Sequence, residues 1–323
     1  MTELRNHGLK AKSIKSIIRS KINAWLETIE DQNLREHVAN NVIVTGGSIA
    51  SMLLGEEVND FDIYFREHDV TLWMAQYYLD KFARRKGAGI ETPLSVRDED
   101  GRVKIVVKSA GVASEEGTDK PYQYFEGQPD ESAAAYIGDI INDPAQIEDA
   151  YQEITQASED ITDVQNGKET YRPVFLTTNA ITLSGQIQLI LRFYGEPDQI
   201  HENYDFAHCT NYWTSWNSEL VLRPNALEAL LAKELRYIGS KYPLCSVVRT
   251  RKFLERGWRI NAGQYVKMAM QISELDLTDF KVLEDQLTGV DTAYFVQLIE
   301  RLKEKDPEKV NSAYLIEILD RIF

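Results

Sequence analysis

The chain has 323 residues, 43% of them hydrophobic, with 36 Lys and Arg against 51 Asp and Glu for a formal net charge of −15, enough length and apolar content for two packed units. No stretch reaches the roughly 18 uncharged apolar residues of a membrane span and the N-terminus lacks a secretion-signal core, so a cytoplasmic protein is expected. Two cysteines, Cys209 and Cys245, exclude a disulfide framework or a structural zinc cluster, and a pI near 4.9 argues against non-specific duplex binding, which depends on Lys and Arg displacing counterions.

From the N-terminus, Leu9 to Glu30 reads as a basic amphipathic helix. Ile14, Ile17, Ile18, Ile22, Trp25, Leu26 and Ile29 fall at helical spacing, with Lys10, Lys12, Lys15, Arg19 and Lys21 elsewhere. A second helix is predicted over 32–39, then a buried strand at Val42-Ile43-Val44 ending on Gly46-Gly47. A short helix over 48–54 and a strand over 61–65 follow, then a helix over 69–85 and a strand over 103–107. Beyond these come a helix over 145–157, strands over 174–176 and 186–193, a helical turn over 197–203, and a strand through Tyr204-Asp205-Phe206-Ala207-His208-Cys209. From Asn225 the pattern turns helical, with segments over 226–235, 245–255, 262–272, 278–286, 290–303 and 310–323. Strands first and helices afterwards predict an α+β fold: a mixed sheet with flanking helices over 1–222 and a helical C-terminal domain over 223–323.

The charge is unevenly distributed. Between Ser114 and Glu169 lie 15 acidic residues and two lysines, Lys120 and Lys168, a net −13 that leaves the rest of the chain near neutral. This segment, about 113–170, reads as an acidic insertion that occludes a site or docks a protein partner.

The chemistry is concentrated in Val42 to Phe65. Asp60 and Asp62 are one residue apart on a predicted strand, and alternation directs i and i+2 to one face. Two carboxylates aimed at one point repel unless a cation lies between them, and an all-oxygen donor set of this kind selects Mg²⁺ or Mn²⁺. Gly46 and Gly47, between strand and helix, permit a tight turn and close backbone approach to an anion, and Ser48 adds a hydroxyl at a helix N-terminus.

This order, Gly-Gly-Ser, a short helix, then Asp-x-Asp on an apolar strand, resembles the signature of the DNA polymerase β-type nucleotidyltransferase superfamily, which includes poly(A) polymerases, CCA-adding enzymes and phage or bacterial defence-type members. The resemblance implies a nucleotidyltransferase-like mixed sheet. It implies metal-dependent transfer of a nucleotidyl group from an NTP, ATP included, or a dNTP to a hydroxyl with pyrophosphate release. The acceptor could be an oligonucleotide end, single-stranded, a nucleotide or a protein hydroxyl. It further implies a third carboxylate on a neighbouring strand, the three holding two metal ions. The strand over 103–107 contains no acid, so Asp205 becomes the expected third ligand, flanked by Tyr204 and Phe206 as in phage-type members. By the same resemblance Arg249, Lys252 and Arg256, on a helix of the second domain, would meet the triphosphate. The alternative is a non-catalytic protein of the same fold, acting as a regulator or antitoxin-like binding module.

Other candidates carry less. His201, His208 and Cys209 lack a coherent ligand spacing and read as hydrogen-bonded core groups. Tyr212, Trp213 and Trp216 could stack on a base, against core packing for at least two of them.

Overall fold

A computed structural model describes residues 8–85, 94–99, 101–107, 120–121, 124–125, 170–176, 179–277, 282 and 286. The expected elements over 145–157 and beyond 286, and nearly all of the acidic insertion, lie outside these residues. The described chain falls into two compact units, one drawing on residues up to Tyr124 and on Thr170–Ile238, the other on residues from Gly239. The first unit extends past the expected boundary at 222 because Ala207 and Ile238 donate backbone hydrogen bonds to Arg236 and Asp205, tying 236–238 to 205–207.

In the first unit the order is α1 (Ala11–Leu26), α2 (Gln32–Ala39), β1 (Val42–Thr45), α3 (Gly47–Leu54), β2 (Phe61–Phe65), α4 (His68–Arg85), β3 (Leu94–Glu99), β4 (Arg102–Val107) and the two-residue β5 (Lys120–Pro121) and β6 (Tyr124–Phe125). After the insertion come β7 (Pro173–Leu176), β8 (Ala180–Leu183), β9 (Ile187–Tyr194), α5 (Pro197–His201), a 3₁₀ turn (Ala207–Cys209), β10 (Tyr212–Thr214), β11 (Glu219–Val221) and α6 (Pro224–Ala232). The second unit contributes α7 (Pro243–Glu255) and α8 (Ala262–Ile272).

The main sheet has the order β11-β10-β1-β2-β9-β8-β7-β6, and β3-β4-β5 form a separate sheet. β2 runs antiparallel to β1 and parallel to β9, making the sheet mixed. The fold is α+β, as expected. Two short stretches differ from expectation. No strand runs through 204–209: Phe206 makes a single bridge with Tyr237, and the carbonyls of Phe206 and Ala207 turn back to accept from Cys209 and Thr210. β4, the strand dismissed for its lack of an acid, is not in the main sheet at all.

Alternation gives the main sheet two unlike faces. One presents Val42, Val44, Phe61, Ile63, Phe65, Ile187, Leu189, Leu191 and Trp213 to a single core completed by α1 and α4. α1 is held there because Ile14, Ile18, Ile22 and Trp25 recur at 3.6-residue spacing and are all fully buried. The indole Nε1–H of Trp25 donates to the Tyr78 hydroxyl on α4 at 2.8 Å. Trp25→Ala removes the largest side chain of this helix and leaves that hydroxyl without its donor. An unfolding free energy lower by about 3–5 kcal/mol is expected in urea titration; a loss under 1 kcal/mol would mean that α1 does not complete the core.

Candidate nucleotide site

The other face carries the polar side chains. Residues directly opposite one another across a ladder share a face, so the pairings Thr182 with Gln188, Gln188 with Asp62, Asp62 with Thr45, and Thr45 with Tyr212 draw one polar row across five strands. Asp62 stands at the middle of this row. Asp60 precedes β2, which starts at Phe61, so the two carboxylates bracket the entry to the strand rather than both lying on it. Both are half-buried.

The turn between β1 and α3 is built around Asp62. Gly46 has φ 91°, ψ −151°, a conformation that favours glycine. A Cβ there would lie 2.6 Å from Oδ2 of Asp62 and 3.6 Å from the Tyr204 hydroxyl. The Gly46 amide donates to the Cys209 carbonyl at 3.1 Å, so Gly46 anchors the turn and its N–H is engaged within the protein. Gly47 is different: nothing lies within 4 Å of a Cβ placed on it. α3 begins at Gly47 with no side-chain cap, which leaves the first amides of the helix, Gly47 and Ser48, without intrahelical acceptors. The Ser48 hydroxyl is buried and has no hydrogen-bond partner among the described residues. Uncapped amides, the positive end of α3 and an orphaned hydroxyl together form an anion-binding arrangement beside Asp62.

A buried layer under Thr45 holds the turn. Thr45 Oγ1 donates to the Asn211 carbonyl at 2.9 Å and lies 2.8 Å from His201 Nε2. With its one proton committed to the carbonyl, Thr45 accepts from Nε2–H, which fixes the tautomer and leaves Nδ1 of His201 buried with no hydrogen-bond partner. Burial, aided by the Arg223 charge and opposed by Asp198, lowers His201 to about 3. Tyr204 packs edge-on against His201 at 5.0 Å. Burial, with Tyr64 and Asp62 adding to it, holds the Tyr204 phenol well above its usual range, so it stays protonated.

The His201 shift gives a sign for pH dependence. Between 6.5 and about 3 the unfolded chain binds a proton on this residue that the folded chain refuses, so this contribution to stability is present above pH 6.5 and is lost as pH falls. His201→Gln keeps an N–H donor for Thr45 and removes the titration. The difference in unfolding free energy between wild type and variant is expected to change by about 1.4 kcal/mol per pH unit below 6.5. A pH-independent difference in urea titrations at pH 7, 6 and 5 would contradict the buried neutral imidazole.

Asp205 lies in the turn through 204–209, outside the strands of the main sheet. Its backbone pairs with Ile238, and its buried side chain bears electrostatically on His208, which burial lowers to about 4 against Asp205's opposing pull. Among the described residues no group of three or more His, Cys, Asp or Glu can hold a metal ion. The strand beside β2 is β9, and its residue in register with Asp62 is Gln188. Among the described residues Asp60, Asp62 and Asp205 thus form no metal-holding group, and the residue beside Asp62 on β9 is an amide. Arg249 and Lys252 lie on α7 and Arg256 at its C-cap, within the second unit. Trp213 is in the core, whereas Tyr212 and Trp216 are partly exposed under the guanidinium groups of Arg223 and Arg66, at 5.4 and 5.1 Å. Thr45, Gln188 and Tyr204 escaped sequence reading. Only Thr45, placed directly before the glycine pair, carried a local signal.

A family described as Gabija anti-defense 2 family protein matches residues 16–233, more than half of the chain and almost the whole of the first unit. The chain belongs to the Gabija anti-defense 2 family. The description of this family places it, as the defence-type resemblance does, in the setting of phage defence. A curated relative, Gabija anti-defense 2 of Bacillus phage SPbetaL7, is 20% identical over 123 residues, spanning 38% of this chain and 31% of that protein. Among solved structures, the Thermotoga maritima CCA-adding enzyme complexed with tRNA is 12% identical with a TM-score of 0.36, covering 89% of this chain and 56% of that one. A CCA-adding enzyme in complex with CTP is 14% identical at TM-score 0.36, covering 88% and 49%. The chain thus spans about a third of its curated relative's length and about half of these enzymes.

Proposed function

We propose that this member of the anti-defense family acts through nucleotidyl transfer, with the triphosphate of an NTP or dNTP seated where α3 meets Asp62. The observation that carries the reading is the Gly46 turn, whose positive φ and lack of a side chain set the uncapped start of α3 against the Asp62 carboxylate. Gly47 and Ser48 bind phosphate oxygens through their amides, and the orphaned Ser48 hydroxyl gains its missing partner. Asp60 and Asp62 fit Mg²⁺ or Mn²⁺ in the manner of sites that use one or two carboxylates and complete the shell with substrate phosphates and water. Such a cation, when bound, neutralises charge on the phosphates. The acceptor hydroxyl forms a bond to the α-phosphorus, the bond to pyrophosphate breaks, and the hydroxyl proton passes to solvent. A centre of three carboxylates and two metals is not part of the proposal.

A second reading rests on Gln188. An amide in register with Asp62, on the strand where the nucleotidyltransferase resemblance implies a carboxylate, favours a protein that binds a nucleotide and counters the host by binding alone. Incubation of the protein with each NTP and dNTP plus Mg²⁺ or Mn²⁺, with and without single-stranded oligonucleotide, separates the two. Transfer releases pyrophosphate and yields a mass increment on nucleotide, oligonucleotide or protein. Saturable triphosphate binding without pyrophosphate would leave the binding reading in place.

A further inference from the structure

The outer face of α1 is unlike the rest of this acidic chain. No acidic residue occurs from Lys10 to Leu26, and the exposed surface of the helix is made largely of Lys12, Ser13, Lys15, Ser16, Arg19 and Ser20. Lys12, Lys15 and Arg19 stand at i, i+3 and i+7, one stripe about 10 Å long with a charge roughly every 5 Å. All three are exposed and make no ion pair or hydrogen bond among the described residues. Lys and Ser are depleted at protein interfaces, whereas Lys, Arg and Ser are the residue types that contact phosphate oxygens.

A cavity of about 860 Å³ opens on the other flank of α1, across Ser16 and Ser20 from the stripe, lined by Ser20, Lys21, Glu56, Glu57, Phe61, Tyr171 and Gln186 among others. Its size is that of a small-ligand pocket. The Lys21 ammonium sits 5.2 Å from the centre of the Phe61 ring, and Ser20, Tyr171 and Gln186 add hydrogen-bonding groups suited to a base edge or sugar. Phe61 and Asp62 are adjacent on β2 and face opposite sides of the sheet, so this cavity is separate from the triphosphate site.

We propose that the outer face of α1 binds single-stranded nucleic acid, the Lys12–Lys15–Arg19 stripe taking successive phosphates and the strand crossing the exposed Ser16 and Ser20 to set an unstacked nucleotide in the cavity. A cavity entered by a free base favours a single strand over a duplex, whose bases are stacked and paired. The surface is independent of nucleotidyl transfer and stands if transfer fails.

Fluorescence anisotropy of the full chain with fluorescein-labelled dT₂₀ and rU₂₀, from 50 to 300 mM NaCl, tests it. At least one oligomer is expected to bind, with log K falling against log salt at a slope of about −2 for three phosphate contacts. Lys12→Ala/Lys15→Ala/Arg19→Ala, changes confined to exposed positions, should weaken binding at 50 mM more than tenfold and flatten the slope. Asp60→Asn/Asp62→Asn should bind as wild type. Photocrosslinking with 4-thiouridine in place of one uridine should mark Tyr171 or Phe61. No binding of either oligomer by wild type, equal binding by the triple variant, or crosslinks confined to other elements would overturn the assignment. So would a triple variant that loses only the capture of an acidic protein.

Discussion

Asp60→Asn/Asp62→Asn is expected to abolish pyrophosphate release, by about 1,000-fold or more, while leaving the unfolding transition in place. The magnitude follows from what the two acids do at the entry to β2. They are the carboxylates that the β1–α3–β2 block sets at the entry to β2, and Gln188 on β9 cannot replace them, because a neutral amide does not offset a divalent charge. Loss of a cation that neutralises a triphosphate removes several kcal/mol of transition-state stabilisation, and about 4 kcal/mol corresponds to 1,000-fold. The fold should survive because both side chains are half-buried and lie away from the apolar face of β2. Titration with Mn²⁺ followed by electron paramagnetic resonance gives a readout independent of turnover: wild type should deplete the free-ion signal and the double variant should not. Equal turnover by the two proteins would place the chemistry elsewhere.

The second large effect is expected at Gly46. Alanine there must accept φ 91° and put a methyl carbon 2.6 Å from Oδ2 of Asp62, so either the carboxylate swings away or the turn opens. The backbone strain costs about 1–3 kcal/mol. The displaced carboxylate should also lower triphosphate and Mn²⁺ affinity at least tenfold. Gly47→Ala is the matched control, since a Cβ at that position meets nothing within 4 Å and Ala suits a helix start better than Gly. Its stability should equal or exceed that of wild type. Urea denaturation and calorimetric titration of the two variants in parallel check the pair; equal behaviour at 46 and 47 would mean that the Gly46–Asp62 contact has no bearing on the site.

Much of this block is legible in the sequence because it is local. A run of apolar residues, a glycine pair, eight helical residues and an alternating strand encode β1, α3 and β2 within 24 positions, and the strand over 61–65 and the helices over 32–39 and 262–272 fall where their periodicity puts them. What the sequence conceals is pairing. β10 and β11 have three residues each, too few for alternation to register, yet β10 brings Tyr212 beside Thr45. Asp205 has the flanks of a strand residue, but the hydrogen bonds between 205–207 and 236–238 give those flanks a partner about 30 residues along the chain, outside the main sheet. Gln188 is one of several polar residues in its stretch until the parallel register of β2 and β9 sets it against Asp62. His201 likewise gains its meaning from Thr45, which is 156 residues away in the chain.

Anomalous diffraction from crystals grown with Mn²⁺ and an α,β-methylene nucleoside triphosphate tests the site most directly. The expected result is a manganese peak in contact with Asp60 and Asp62, with triphosphate oxygens on the amides of Gly47 and Ser48. A triphosphate bound away from the Gly46 turn, or manganese held without either aspartate, would contradict the assignment of this face of the sheet as a nucleotide site.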